Sequence, residues 1–156
     1  MTPELTTLQK SALKSAILAD QALAALYNDG ILDQLQAALN SPSSFWVYRT
    51  DVSRQELGVA ITAINTVTDI QIQRLRLIFE LDGGVVDFSR EPRRTVFNAI
   101  FSGGGEEATT RANLLALWRR QATVAEAVFA TGTGTTGSPG LLVVRGGVTL
   151  SELQGL

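Results

Sequence analysis

Three glycines near the C-terminus, Gly132, Gly134 and Gly137, have the G-x-G-x-x-G spacing of loops that bind dinucleotide phosphates. Such a loop follows a strand and opens a helix, so that the helix N-terminus faces the pyrophosphate. Here the predicted order is reversed, because a helix precedes the glycines and a Ser-Pro-Gly turn follows them. The C-terminal end of a helix repels phosphate, and no P-loop lysine is present. We therefore interpret residues 131–140 as a helix stop followed by a flexible hinge, and expect no cofactor.

The chain contains neither histidine nor cysteine. Disulfides, thiolate and imidazole metal ligands, cysteine nucleophiles and Ser-His-Asp triads are therefore excluded. Catalysis by carboxylates, lysine, tyrosine or a magnesium ion held by carboxylates stays open. An enzyme of this kind could use Asp51 and Glu56 with nearby arginines, with or without magnesium. However, Ser53-Arg54-Gln55-Glu56 has the pattern of a capping box, which gives Glu56 a structural role. We expect no catalytic residue and no metal site.

Composition indicates one ordinary domain with a real core, since 45% of the 156 residues are hydrophobic. The net charge of −2 provides no global field that would attract nucleic acid. No stretch approaches the roughly 20 apolar residues that span a bilayer, and no signal peptide is visible. We expect neither membrane nor sequence-specific nucleic acid as a partner.

Apolar residues recur at three- and four-residue steps through most of the chain, which predicts a mainly α fold. Asp20 could cap a second helix and put a corner in the first predicted segment. On the helix that Asp69 caps, Ile70, Leu75 and Ile78 are among the residues predicted to face inward. The predicted helices cover residues 4–27, 31–39, 54–65, 69–80, 93–101 and a long segment from about 106 to 130.

Phe45, Trp46 and Tyr48 lie together in a stretch that alternates like one short strand. They could form an aromatic platform for a base or a partner chain. Alternatively, they form a plug that seats a loop on the helical core. Only Arg49 lies beside them, so we favour the plug.

Arg90, Arg93 and Arg94 form a tight basic cluster at the start of a predicted helix. Positive charge at a helix N-terminus opposes the helix dipole unless an anion or an acidic partner lies there. The cluster is therefore a candidate partner contact, with a solvated face as the alternative.

The C-terminal segment has two β-prone runs around Gly146-Gly147, which predict a hairpin. A lone hairpin is marginally stable, so it must pack on its own helices or on a partner. We favour a docking arm beyond the glycine-rich hinge. Its predicted partner-binding residues are all apolar: Leu141, Leu142, Val143, Val144, Val148, Leu150 and Leu153.

Three segments carry a resemblance to a known group of proteins: "SSFWVYRTDVSRQELG", "NAIFSGGGEEATTRANLLALWRRQAT" and "FATGTGTTGSPGLLVVRGGVTLSEL". The chain resembles small structural proteins encoded among the head and neck genes of tailed bacteriophages, over most of residues 12–153. Its general shape is similar to that of head–tail connector (adaptor) proteins. The resemblance implies a compact helical bundle (1–130), a hinge (131–140) and a C-terminal extended arm or β-hairpin (141–156).

The resemblance also implies a function, namely a virion protein of the neck, assembled in the host cytoplasm, that joins the capsid portal to the tail without catalysis. Its partners would be other copies of itself in a ring, the portal protein and a further neck or tail protein. The alternative is a capsid-completion or tail-joining protein of the same virion. A small carboxylate enzyme lacks any sign of a converging pocket, and a DNA-binding regulator would need more basic residues.

Overall fold

The computed structural model describes residues 4–144 and 146–156, and the fold is mainly α, as predicted. The helices, in chain order, are α1 (Thr7–Ala19), α2 (Gln21–Asn28), α3 (Leu32–Leu39), α4 (Arg54–Ala60), α5 (Asp69–Leu81), α6 (Glu91–Ile100), α7 (Glu106–Leu117), α8 (Val124–Phe129) and α9 (Leu150–Gln154). The strands are β1 (Pro42–Tyr48), β2 (Val52–Ser53), β3 (Val85–Val86) and β4 (Arg119–Thr123).

The chain forms two compact units. The split unit contains the chain up to Val47 and again from Gln121 to Leu156, and the central unit contains Tyr48–Arg120. This division differs from the predicted layout of one bundle followed by a hinge and an arm. The physical reason is the pairing of β1 with β4, which returns the chain to the N-terminal helices.

The split unit has a core made by both ends of the chain. Helices α1 and α3 contribute Leu13, Ile17, Leu35 and Leu39, all almost completely buried. From the other end of the chain come Ala125, Val148 and Leu153. Asp20 ends α1 and caps α2 by accepting hydrogen bonds from the next helix's first amides, which produces the predicted corner.

The central unit packs its helices around an aromatic cluster. Phe88 stacks on Trp118 with ring centroids 4.6 Å apart, and Phe97 meets Phe88 edge-on at 5.2 Å. Strand β2 pairs antiparallel with β3, and Val52 lies opposite Val86. Both valines are buried, and their pairing joins the segment before α4 to the segment that follows α5.

The prediction of one long helix from about residue 106 to residue 130 is wrong. Helix α7 ends at Leu117, strand β4 follows, and α8 begins at Val124. Thr123 caps α8, since its hydroxyl accepts from the amide of Glu126 while the Glu126 carboxylate accepts from the amide of Thr123. Strand β4 forms because β1 offers it a partner: Ser43 Oγ donates to the carbonyl of Ala122, 79 residues away, at 2.9 Å.

The C-terminal segment also differs from its prediction. Leu141 forms an isolated bridge with Thr131, and residues 142–144 and 146–149 are irregular, while Arg145 lies outside the described residues. The segment then ends in α9, a helix that the sequence pattern does not predict. Thr149 starts this helix with a capping box to Glu152.

Candidate functional site

The predicted hinge at residues 131–140 is a closed loop on β1. The backbone amide of Trp46 donates to the carbonyl of Gly134 at 2.7 Å, and the amide of Gly140 donates to the carbonyl of Trp46 at 2.8 Å. Thr131 and Leu141 exchange two backbone hydrogen bonds, so the ends of the loop are held together. These contacts fix a segment that the glycine-rich sequence predicts to be flexible.

Phe45 explains the glycines of this loop. A Cβ atom at Gly134 would lie 2.3 Å from the Phe45 ring, and one at Gly140 would lie 2.5 Å from it. Gly134 also has a φ of +66°, a conformation that side chains other than glycine disfavour. The half-buried ring therefore seats the loop, as the plug interpretation of the aromatic stretch predicts.

Tyr48, the third aromatic residue of the stretch, lies in the central unit, where it contacts Arg94. The Arg94 guanidinium lies 4.0 Å from the centre of the Tyr48 ring and donates a hydrogen bond to the carbonyl of Phe88. A cation over an aromatic face in this position is a stabilising contact. The arginine is therefore bound within its own unit.

Arg93, the second residue of the predicted basic cluster, is bound to a carboxylate of its own unit. Its guanidinium donates two hydrogen bonds to Asp82, at 2.9 and 2.6 Å, and both side chains are largely buried. Only Arg90 is open to solvent, with 64% of its side chain exposed beside Asp87. Of the predicted cluster, Arg90 alone is left as a candidate for contact with a partner.

The predicted docking arm is divided by burial. Val148 and Leu153 are 4% and 2% exposed and belong to the core of the split unit, which corrects their assignment to a partner contact. Val144 packs against the same core, and Leu142 is half-buried. Only three of the predicted residues are exposed, namely Leu141, Val143 and Leu150.

Glu56, the carboxylate considered for catalysis, forms an ion pair. Its Oε1 accepts from Arg49 at 2.8 Å, and its Oε2 accepts from the amide and the hydroxyl of Ser53, each at 2.8 Å. The hydrogen bond from Arg49, together with those from Ser53, lowers the pKa of Glu56 to about 2. Arg49 also pairs with the exposed Asp51 at 3.2 Å. A carboxylate with so low a pKa is a poor proton acceptor at neutral pH, so a general base is disfavoured here.

An open apolar groove runs between α4 and α7 in the central unit. It has a volume of about 650 Å³, and its lining includes Glu56, Val59 and Ala60 from α4 and Asn113, Ala116 and Leu117 from α7. The side-chain amide of Asn113 donates to the carbonyl of Ala60 at 3.2 Å, which ties the two helices together. Val59 is 79% exposed at this groove. We call this feature the α4–α7 groove.

Helix α5 carries a second apolar stripe besides the one that packs into the core. Leu75 and Ile78 are buried, as predicted. In contrast, the exposed fraction is 65% for Ile70, 52% for Leu77 and 67% for Leu81. The prediction that Ile70 faces inward is therefore wrong. Positions 70, 77 and 81 lie within about 40° of one another on a helix of 3.6 residues per turn. We call these three residues the α5 stripe.

Within residues 4–144 and 146–156, no cluster of three or more carboxylates has the arrangement of a metal site. Among the same residues, no helix is both long and apolar enough to cross a membrane.

No known protein family, curated protein or solved structure matches the chain. The candidate functional surfaces are therefore the groove, the stripe and the exposed residues of the C-terminal segment.

Proposed function

We propose that the protein is a non-catalytic structural component of a tailed-phage particle, a head–tail connector that acts in the neck between the portal and the tail. The observation that carries the proposal is the pair of exposed apolar surfaces on the central unit, the α5 stripe and the α4–α7 groove. Contiguous exposed apolar surface marks interaction sites in soluble proteins. The resemblance of the three sequence segments supplies the kind of particle.

The side chains that form the ion pairs hold helices in place, which agrees with a binding role. Glu56 and Arg93, which are the charged residues with the shortest ion-pair contacts, are used for capping and for bracing helices. These contacts stabilise the helices on which the exposed apolar side chains lie. A rigid helical unit that presents preformed surfaces loses little conformational entropy on assembly.

The contact with the portal would involve residues that are exposed in the isolated chain. In the C-terminal segment these are Leu141, Val143 and Leu150, and Arg90 adds an exposed positive charge in the central unit. An acidic patch on the portal would complement Arg90.

The direct test is a binding experiment with the portal protein encoded by the same phage genome. The purified chain and the purified portal are mixed, and the mass of the complex is measured by light scattering after size exclusion. We expect one species whose mass equals the portal ring plus several copies of the chain. A major tail protein from the same genome serves as the comparison partner.

Two other outcomes of this experiment would contradict the proposal in different ways. Binding to the tail protein without binding to the portal would replace the connector by a tail-joining protein. Binding to neither would overturn the proposed function.

A further inference from the structure

We infer that copies of this chain associate head to tail, with the α5 stripe of one copy lying in the α4–α7 groove of the next. The inference deepens the proposed function and rests on it, since it supplies the contact that would build the ring. The occupant of the groove is thus a second copy of the same chain.

The α5 stripe has the geometry of a helix that lies in a groove. Its anchors at positions 70, 77 and 81 follow the spacing of helical segments that insert one apolar face into a partner. They extend over about 16 Å at 1.5 Å per residue. Each anchor exposes more than half of its surface, and none is needed for the core that Leu75 and Ile78 fill.

The stripe lies on the side of α5 that is directed away from the start of α4. On α5, Phe79 lies about 180° from Ile70. The Phe79 ring meets the guanidinium of Arg54, the first residue of α4, at 5.9 Å. The side of α5 that is directed toward the start of α4 is therefore opposite the stripe. Both the stripe and the groove are exposed in the folded chain, so one copy can use the two surfaces with two neighbours.

The groove offers an apolar surface that matches the stripe. Ala60 and Ala116 are small and leave room between the two helices, while Val59 and Leu117 supply apolar contacts. Val59, at 79% exposed, gains the most burial if a helix lies there. The groove is open to solvent, so a helix can enter from outside.

Charge complementarity favours this arrangement. Arg74 lies on α5 between the anchors Ile70 and Leu77, and no carboxylate in the described part of the chain forms a salt bridge with it. The groove contains Glu56, which is ionised at neutral pH because its pKa is about 2. Arg49 is shared between Glu56 and Asp51, so these three side chains have a net formal charge of −1. A stripe lying in the groove brings the Arg74 cation to this acidic cluster.

A symmetric contact between two α5 helices would bury less of the exposed apolar surface. It would cover the stripe but would leave Val59 and the whole α4–α7 groove open to water. It would also bring the Arg74 side chains of two copies toward each other. A head-to-tail contact covers both apolar surfaces at once, and contacts of this type close into rings when the rotation per copy allows it.

The test uses one charge substitution on each surface. In the full-length chain, Leu77→Glu blocks the stripe and Val59→Glu blocks the groove, and self-association is measured by sedimentation over a range of concentrations. We expect each variant to weaken self-association at least tenfold. Matched controls are Leu8→Glu and Leu18→Glu, which alter exposed apolar residues of the split unit. The controls should associate like the unaltered chain.

Mixing the two variants separates a head-to-tail contact from a symmetric one. The Leu77→Glu copy retains its groove and the Val59→Glu copy retains its stripe, so an equimolar mixture should form one-to-one dimers and nothing larger. If Val59→Glu alone associates normally, or if the mixture forms no dimer, the head-to-tail contact is wrong. An unaltered chain that stays monomeric at every concentration would also overturn it.

Chemical cross-linking gives an independent measurement, because the chain has no cysteine of its own. Oxidation of a mixture of Leu77→Cys and Val59→Cys should yield the mixed disulfide dimer, while a mixture of Leu8→Cys and Leu18→Cys should not. Predominance of the Leu77→Cys homodimer would indicate a symmetric α5 contact and contradict the inference. A chain that associates through these surfaces but never binds the portal would leave the inference standing and overturn the proposed function. If the chain binds the portal but the two Glu variants leave self-association unchanged, the proposed function stands and the inference is overturned.

Discussion

Phe45 explains two of the glycines in the loop at residues 131–140. Its ring occupies the space next to Gly134 and Gly140, where no side chain fits. Gly137 differs from these two glycines, since a Cβ atom added there would meet nothing within 4 Å and its φ is not positive. Glycines that make room for an aromatic ring and glycines that approach a phosphate give the same letters in a sequence.

The contrast between two glycines of this loop gives a direct test. Gly134→Ala should destabilise the protein by about 2–4 kcal/mol, because the new methyl group overlaps the Phe45 ring and the residue must keep a positive φ. Gly137→Ala, in open space, should change stability by less than about 1 kcal/mol. Urea denaturation of the two variants measures the difference. Equal effects would mean that Phe45 does not seat the loop.

The Glu56 carboxylate should make the stability of the central unit depend on pH. Its pKa is about 2 in the folded chain against an ordinary value of 4.5, so its stabilisation is complete above pH 4.5 and is lost as the pH falls toward 2. The side chain is 39% exposed, so solvent screening reduces the effect to about 1 kcal/mol. Glu56→Gln should therefore lower stability at pH 7 and have progressively less effect toward pH 2, as measured by urea denaturation at each pH. A penalty that is independent of pH would show that the charge of Glu56 contributes nothing.

At the scale of elements, local signals are predictable from the sequence and pairings between distant segments are not. In the part of the chain that the structure describes, five helices start with a capping box, and the one at Ser53 is predicted from its sequence. The boxes at Thr123 and Thr149 have the same pattern, but the apolar spacing around them favours a long helix and a hairpin instead. Strand β4 could not be predicted in this way, since its partner lies in a distant part of the chain.

The candidate surfaces show the same limit of sequence reasoning. Periodicity identifies α5 and its buried Leu75 and Ile78, but it cannot decide which of two adjacent apolar stripes faces the core. That choice depends on which side of α5 meets the other helices. The groove is not predicted at all, because it is formed by two helices that lie far apart in the sequence.

Helix α6 is braced by the ion pair between Arg93 and Asp82, and this gives an element-scale prediction. Arg93→Ala leaves the largely buried Asp82 carboxylate without its two hydrogen bonds, so the central unit should lose about 2–4 kcal/mol. Arg90→Ala removes an exposed charge and should change stability by less than about 0.5 kcal/mol. Thermal unfolding of both variants tests the contrast. Equal melting temperatures would place Arg93 on a solvated face, as the sequence alone allows.

At the scale of the whole molecule, the two units have different chain architectures. The central unit is one continuous stretch with its own aromatic core. The split unit needs both ends of the chain, since Leu13 and Ile17 from α1 share a core with Val148 and Leu153. The C-terminal residues therefore stabilise the fold of the N-terminal helices, which an arm reserved for a partner would not do.

Two leucines of α9 distinguish a core element from a docking arm. Leu153→Ala removes a buried side chain and should destabilise the split unit by about 2–4 kcal/mol, whereas Leu150→Ala, at a position 40% exposed, should cost less than about 1 kcal/mol. Because the core is shared, the amides of α1 and α3 should lose hydrogen-exchange protection in Leu153→Ala together with those of α9. The central unit has a separate core, so the amides around Phe88 and Phe97 should keep their protection. If Leu153→Ala left the exchange of α1 and α3 unchanged, the C-terminal segment would be energetically independent of the N-terminal helices, and an arm free to dock on a partner would again describe it.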